Sequence, residues 1–348
     1  VDAFRDSLYA MLKRNTFLNI KFENMLDTLG QMSRTDIYSS LKEWEQLTPL
    51  PFYSIGEPEL TKVVNKGGEE FFVLKVLVSN NSDYDGIIQM NVLQNGWWYQ
   101  PLEDPRARKK VEIAAHTTKE FVSVWEEQIR EVEVNTMISG NLPYMIRQSI
   151  GNVKQERNKI VKDSIYTLPE SSLEMPGEII VDNEDSTLFV LSTPPVVGLL
   201  PKWLDEVEET PFKYSGISWW RAPLQWTATT NAKYYGKYIR SAYVIKSGDG
   251  SQTATWKIPV PEAGQYELYY YVFKNDELRW NDRLQGEYHF RVAYDSEVED
   301  AYINLRKANE GWEQLGTYYF SADTVRVVLT DECKLRSVTA DAVKIVKR

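Results

Sequence analysis

Two histidines, His116 and His289, are the only imidazoles in the 348 residues. General acid–base or metal chemistry needs such a group beside a positioned partner. Neither has one in its own stretch: His116 follows Ala114-Ala115, and His289 alternates within Tyr288-His289-Phe290. Both are therefore expected to be structural. HExxH, GxSxG, Walker A and GxGxxG patterns are absent from the sequence. Ser39-Ser40-Leu41-Lys42 fits SxxK, but it lies on a stretch patterned as an amphipathic helix and lacks the other elements of an acyl-transfer site. Paired acids facing each other across a cleft cleave glycosides, and the carboxylates here are plentiful. The run Asp205-Glu206-Val207-Glu208-Glu209 reads as a solvated acidic loop. Asp182-Asn183-Glu184-Asp185 has the oxygen ligands that calcium uses but lacks the Gly and distal Glu of an EF-hand, so a turn beside a strand is expected there. The single Cys333 supplies no disulfide within the chain, no CxxC pair and no zinc spacing.

Aromatic residues are the remaining signal. Trp219-Trp220, Trp226, Tyr234-Tyr235, Tyr238, Tyr269-Tyr270-Tyr271, Trp280 and Trp312 crowd into the C-terminal half. Flat rings stack on the apolar faces of sugars as well as they fill cores. Successive residues of a strand face opposite ways, so adjacent aromatics must turn at least one ring outward. The candidate ligand-binding residues are Trp219, Trp220, Tyr235, Tyr270 and Trp280, with core packing as the competing role for each.

These side chains need elements to hold them. Phe4, Leu8 and Met11, then Leu18, Phe22, Met25 and Leu29, carry the helical spacing and predict two amphipathic helices. Gly30 is expected to close the second. Ser33 with Asp36 three residues on predicts the start of a third, carrying Ile37, Leu41 and Trp44 and stopped by Pro49 and Pro51. The helical segment is thus 1–50. From about residue 57 the period becomes two. Runs at 71–78 and 88–93 flank a turn cluster and predict a hairpin, and 111–115, 121–125 and 131–138 predict three more strands. Residues 51–140 therefore read as a small antiparallel β-sandwich that acts as a spacer. Residues 141–177, with Leu142-Pro143, Leu168-Pro169, Met175-Pro176 and a mixed-charge run, read as a linker with one short helix around 155–162. Residues 178–348 hold about eight strand-like runs and predict a jelly-roll-like β-sandwich. The fold class expected is mainly β with an N-terminal helical segment.

Forty Lys plus Arg against fifty Asp plus Glu give a net charge of -10, which disfavours nucleic acid as a partner. No apolar run is long enough to cross a membrane, so direct membrane insertion by this stretch is not expected. Val1 falls in mid-pattern of a helix, which suggests a piece of a longer protein.

The stretch Tyr234-Tyr235-Gly236-Lys237-Tyr238, then Gly248-Asp249-Gly250-Ser251-Gln252-Thr253-Ala254-Thr255-Trp256, then Val260-Pro261-Glu262-Ala263-Gly264-Gln265-Tyr266-Glu267-Leu268, resembles the golvesin C-terminal-like domain. Gly311-Trp312 through Phe320 and Ala340-Asp341-Ala342-Val343-Lys344 continue the resemblance in order. It implies a carbohydrate-binding-module-like sandwich on a bacterial extracellular or surface protein. Thr35-Asp36-Ile37-Tyr38 to Trp44, followed by Leu50-Pro51-Phe52-Tyr53, is similar to the tail of M1-type metallopeptidases. Together the two resemblances imply the non-catalytic C-terminal part of a membrane-anchored, extracytoplasmic peptidase-like protein. Zinc would be held only upstream, no cofactor is expected in this stretch, and calcium has no support beyond residues 182–185. The partners implied are a glycan or peptide ligand and the other domains of the parent protein. Two alternatives stand beside this reading: a purely structural module that docks other domains, and a glycoside hydrolase built from paired acids in the last domain.

Overall fold

The computed structural model describes residues 2–16, 21–34, 36–37, 50–93, 104–151, 153–157, 161–170, 173, 177–192, 213–217, 221–274 and 286–348. The chain divides into two compact units, Val1–Leu50 and Pro51–Arg348. The first holds α1 (Asp2–Arg14) and α2 (Phe22–Ser33), which bury Met11, Leu26 and Leu29. Helix α2 does not stop at Gly30. A glycine inside a helix costs only about 1 kcal/mol, and the chain runs on to Ser33, where Arg34 takes the left-handed conformation and donates its N–H to the Gly30 carbonyl. Leu41 and Trp44 of the expected third helix lie outside the described residues.

The second unit is almost wholly strand. Its N-terminal part contains β1 (Tyr53–Ile55), β2 (Glu59–Val64), β3 (Glu70–Asn80), β4 (Gly86–Leu93), β5 (Arg108–Ile113), β6 (Thr117–Trp125), β7 (Glu131–Asn135), β8 (Met145–Ser149), β9 (Val153–Arg157) and β10 (Ser164–Pro169). One sheet has the order β10-β6-β3-β2-β9 with β1 also on β3, and the other has β5-β4-β7-β8. Leu74, Val76 and Val78 from β3 and Ile88, Met90 and Val92 from β4 share one core with Phe121, Trp125, Val132 and Val134.

Two sequence expectations fail in this sandwich. Strands β3 and β4 are not a hairpin, because they pair in different sheets and face each other across the core. The corner is built by buried Asn80, whose amide donates to the Tyr84 and Ile113 carbonyls while its oxygen accepts from the Ser82 N–H and hydroxyl. The segment read as a linker with a helix contains β8, β9 and β10, all hydrogen-bonded into the two sheets. Strands β9 and β10 are largely exposed, so they lack the apolar alternation that marks a half-buried strand.

The C-terminal part contains β11 (Glu178–Val181), β12 (Phe189–Ser192), β13 (Thr227–Thr230), β14 (Ser241–Lys246), β15 (Thr253–Pro259), β16 (Gly264–Val272), β17 (Glu287–Tyr294), β18 (Glu297–Asn304), β19 (Gly311–Phe320), β20 (Thr324–Thr330), β21 (Ser337–Ala340) and β22 (Val343–Lys347). They form sheets of order β11-β22-β16-β19, β12-β15-β20-β17-β18 and β13-β14-β21. Trp256, Phe290, Val327 and Leu329 meet Tyr266, Leu268, Tyr270 and Ile345 in one core. Each fully buried side chain of this kind contributes roughly 1.5–3 kcal/mol. From β15 to β20 the chain passes back and forth between the two larger sheets, which closes them over that core.

The two sandwiches meet along a hydrogen-bonded seam. The Leu142 N–H donates to the Tyr238 carbonyl (3.0 Å), Arg240 N–H to Leu142 O (2.6 Å) and Arg147 N–H to Ala232 O (2.9 Å). Lys233 reaches across to Glu131 (2.9 Å) and back to Glu310 (3.0 Å), and Ser149 donates to the same Glu310. The turn feeding the seam requires Gly236: at φ +145° a Cβ there would lie 1.9 Å from the Ile239 carbonyl oxygen.

Candidate functional site

Strand alternation sorts the aromatic triplet on β16. Tyr270 points inward with Tyr266 and Leu268, is fully buried, and donates its hydroxyl to the Thr339 carbonyl. It cannot contact a surface ligand, so the candidate ring at this position is corrected to its neighbours. Tyr269 and Tyr271 face out, beside Lys344 of β22 and Trp312 of β19.

Strand β19 then changes parity. Trp312 pairs with Tyr271 and Gln314 with Tyr269, but the register shifts at Leu268/Tyr269, after which Thr317 pairs with Glu267 and Tyr319 with Gln265. The extra residue is Leu315, which packs on the core, so this bulge keeps an even-numbered pair and an odd-numbered pair on one outer face. The result is a strip running from Tyr319, 64% exposed, through Thr317, Gln314 and Tyr269 to Trp312. Six strand steps make it about 20 Å long.

The strip is organised by side-chain contacts. Tyr235 packs at a tilt against Tyr271 (5.4 Å between centroids) and Trp312 (5.0 Å). The Lys344 ammonium lies 4.8 Å from the Trp312 ring centroid and 5.4 Å from that of Tyr269, and it pairs with Glu178 at 3.0 Å. The Tyr269 hydroxyl donates to Glu267 (2.6 Å), which pushes the phenol pKa up to about 12, and Arg348 binds the other side of Glu267 at 2.7 Å. These two donors hold the Glu267 carboxyl below its usual range. Gln314 donates to the Thr317 hydroxyl at 3.1 Å. Nucleophilic or acid–base work is poorly served, because the one acid central to the face is committed to two donors. What the strip offers is rings, amides and hydroxyls side by side on one face.

Of the other sequence candidates, Trp219, Trp220 and Trp280 lie outside the described residues, as does the acidic run 205–209. Tyr235 joins the strip as a half-buried ring. Both histidines acquire partners from distant parts of the chain, contrary to the local reading. His116 is held by Asp83 (2.7 Å) and Glu170 (2.8 Å), while His289 meets Asp300 (2.8 Å) and Glu332 (3.3 Å) and stacks on Tyr302. Residues 182–185 form a turn in which the Asp182 N–H donates to the Asp185 carboxylate and Glu184 is bound by Lys213, Tyr214 and Ser241. Tyr319, Gln314, Thr317, Glu267 and Arg348 were not singled out from sequence. Only the aromatic run Tyr318-Tyr319-Phe320 hinted at them, and the bulge that turns Tyr319 outward leaves no period-two trace.

Residues 220–347 match the Golvesin C-terminal domain. The golvesin-like region thus extends from β13 to β22 and contains Tyr235, β16, β19 and Lys344, with the strip's partners Glu178 and Arg348 outside it. No curated protein matches the chain. Among solved structures, CBM35 from Cellvibrio japonicus is 11% identical, covering 34% of this chain and 80% of that one at a TM-score of 0.25. An exo-β-1,3-galactanase from Phanerochaete chrysosporium is 7% identical over 83% of this chain and 68% of its own, with a TM-score of 0.30. A Bacteroides uniformis β-glucuronidase is 11% identical over 84% of this chain and 30% of its own, with a TM-score of 0.22. Likenesses at these TM-scores set neither the fold nor a ligand for the golvesin-like region.

Proposed function

We propose that the golvesin-like sandwich recognises glycan through the outer face of β16 and β19. The observation that carries this reading is that Tyr319, Tyr269 and Trp312 share one outer face with Thr317, Gln314 and Gln265. Ring faces cover the apolar side of a pyranose, and amides and hydroxyls answer its hydroxyl groups. The face is shallow, so single-site binding is weak, on the order of 0.1–1 mM or about -4 to -5.5 kcal/mol. The module binds and does not cleave, needs no cofactor of its own, and belongs to an extracytoplasmic protein whose other domains lie outside this chain. The jelly-roll assignment is supported by the crossings between the two larger sheets at β15–β16, β16–β17, β18–β19 and β19–β20. The peptidase parentage rests on the M1-like form of residues 35–53 alone, and recovery of the upstream coding sequence with or without an HExxH zinc motif tests it.

Affinity electrophoresis of the full chain in gels cast with β-glucan, xylan, galactomannan or polygalacturonate tests the glycan reading. Retardation by at least one polymer, lost in Tyr319→Ala/Trp312→Ala, supports it. No retardation in any gel contradicts it.

A second reading has its own observation. The seam at Lys233, Leu142 and Arg147 docks the golvesin-like sandwich on residues 51–169, as expected of a module whose work is to hold neighbouring domains in place. Wild-type behaviour of Tyr319→Ala/Trp312→Ala in every gel, with parent function lost on seam mutation, favours it.

A further inference from the structure

We infer that the glycan held by the β16–β19 face is an uncharged, linear chain contacted over about four pyranose rings, an inference that rests on the glycan reading above. Strands β11, β22, β16 and β19, with Arg348 beyond them, turn four charged side chains outward, and these form two closed pairs: Lys344 with Glu178 at 3.0 Å and Arg348 with Glu267 at 2.7 Å. Among the described residues, no charged side chain of this face is left without an ion-pair partner for a uronate or an ammonium to meet. Opening either pair to receive one exchanges one ion pair for another at the cost of desolvation. The outer face of the opposite sheet shows that this is a choice, because there Lys257, Arg291, Arg326 and Asp300 all point outward. The uncharged polar groups on the β16–β19 face are the amides of Gln265 and Gln314 and the hydroxyl of Thr317; Gln314 already donates one bond to Thr317, and each group keeps further capacity to donate and accept. Sugar hydroxyls also do both, so no charge is required for a complete set of hydrogen bonds. Tyr319 and the Tyr269–Trp312 group stand at the two ends of the strip, which at about 20 Å matches roughly four pyranose rings laid end to end. A disaccharide reaches only one aromatic end.

The test is titration calorimetry of the full chain with cellotetraose, xylotetraose, mannotetraose, tetragalacturonate and the glucosamine tetramer, each at low and high salt, with the matching disaccharides. The expected result is that a neutral tetrasaccharide binds at least tenfold more tightly than either charged one. Its affinity should not change with salt, should fall about tenfold for the disaccharide, and should fall about three- to tenfold in Tyr319→Ala. Tightest binding by tetragalacturonate or the glucosamine tetramer, weakening with salt, overturns the inference and leaves the glycan reading standing. Binding of none of the five overturns both. Equal affinity for di- and tetrasaccharide overturns the four-ring contact.

Discussion

Lys344 holds its ammonium 4.8 Å from the Trp312 ring centroid while its other contact, Glu178, lies 3.0 Å away, so one side chain on the middle strand β22 fastens the face from β11 to β19. Only 12% of the lysine side chain is exposed. Lys344→Met keeps the apolar stem but leaves Glu178 half-buried without its cation, and it should destabilise the sandwich by about 1–3 kcal/mol. Adding Glu178→Gln should recover part of that loss. Thermal melts followed by tryptophan fluorescence measure both.

Tyr270 and Tyr319 separate core from surface. Tyr270→Ala removes a fully buried ring and its bond to Thr339, and it should cost about 3–5 kcal/mol. Tyr319→Ala, at an exposed edge position, should change stability by less than about 0.5 kcal/mol. Its effect should fall on binding, about three- to tenfold, the scale of one aromatic contact. A Tyr319→Ala protein that melts early would mean that this ring packs after all.

At the seam, Lys233 is 16% exposed and stands between buried Glu131 and half-buried Glu310. Lys233→Met leaves both without their cation and should destabilise the unit by about 3 kcal/mol or more. The triple change Lys233→Met/Glu131→Gln/Glu310→Gln should restore much of this loss. Limited proteolysis around residue 233 should report the same order, with the single variant cut fastest.

His116 gives a pH signature. Hydrogen bonds to Asp83, and next to Glu170, raise the imidazole pKa, while Glu170 is lowered mainly by Asn81 and then by His116. A raised histidine contributes stability fully below its unfolded value of about 6.5, and that contribution is lost as pH rises through the folded pKa. The Glu170 contribution runs the other way, present above the ordinary carboxylate range and lost as pH falls through the lowered pKa. His116 sits at φ 53°, a conformation that asparagine tolerates, so His116→Asn is the clean comparison. The melting-temperature gap between wild type and variant should be widest in mildly acidic buffer and should shrink as pH rises. A gap that grows with pH would contradict the assignment.

Much of this architecture was legible in the residues. Trp256, Tyr266, Leu268 and Phe290 alternate with polar neighbours and mark the core strands of the last sandwich directly. Other strands leave no such mark: β9 and β10 are mostly exposed, β13 and β21 are four residues each, β14 buries its residues in adjacent pairs, and β18 opens on four exposed residues. The hairpin error came from Asn80, whose side chain turns the chain across the core where a turn-rich cluster suggests a tight reversal. The site was half legible. An outward ring in Tyr269-Tyr270-Tyr271 follows from alternation, but which ring depends on register with β22, and the outward turn of Tyr319 depends on a bulge at Leu315. Register and bulges are set by pairing between distant strands, which no local pattern encodes.

The most direct test of the central claim is an amide chemical-shift map of the full chain on addition of cellotetraose, or of whichever neutral tetrasaccharide binds best. The account predicts perturbations concentrated on residues 265–271 and 312–319 with little change at His289 and Tyr302. Perturbations confined to the opposite sheet or to the seam, with β16 and β19 silent, would contradict it.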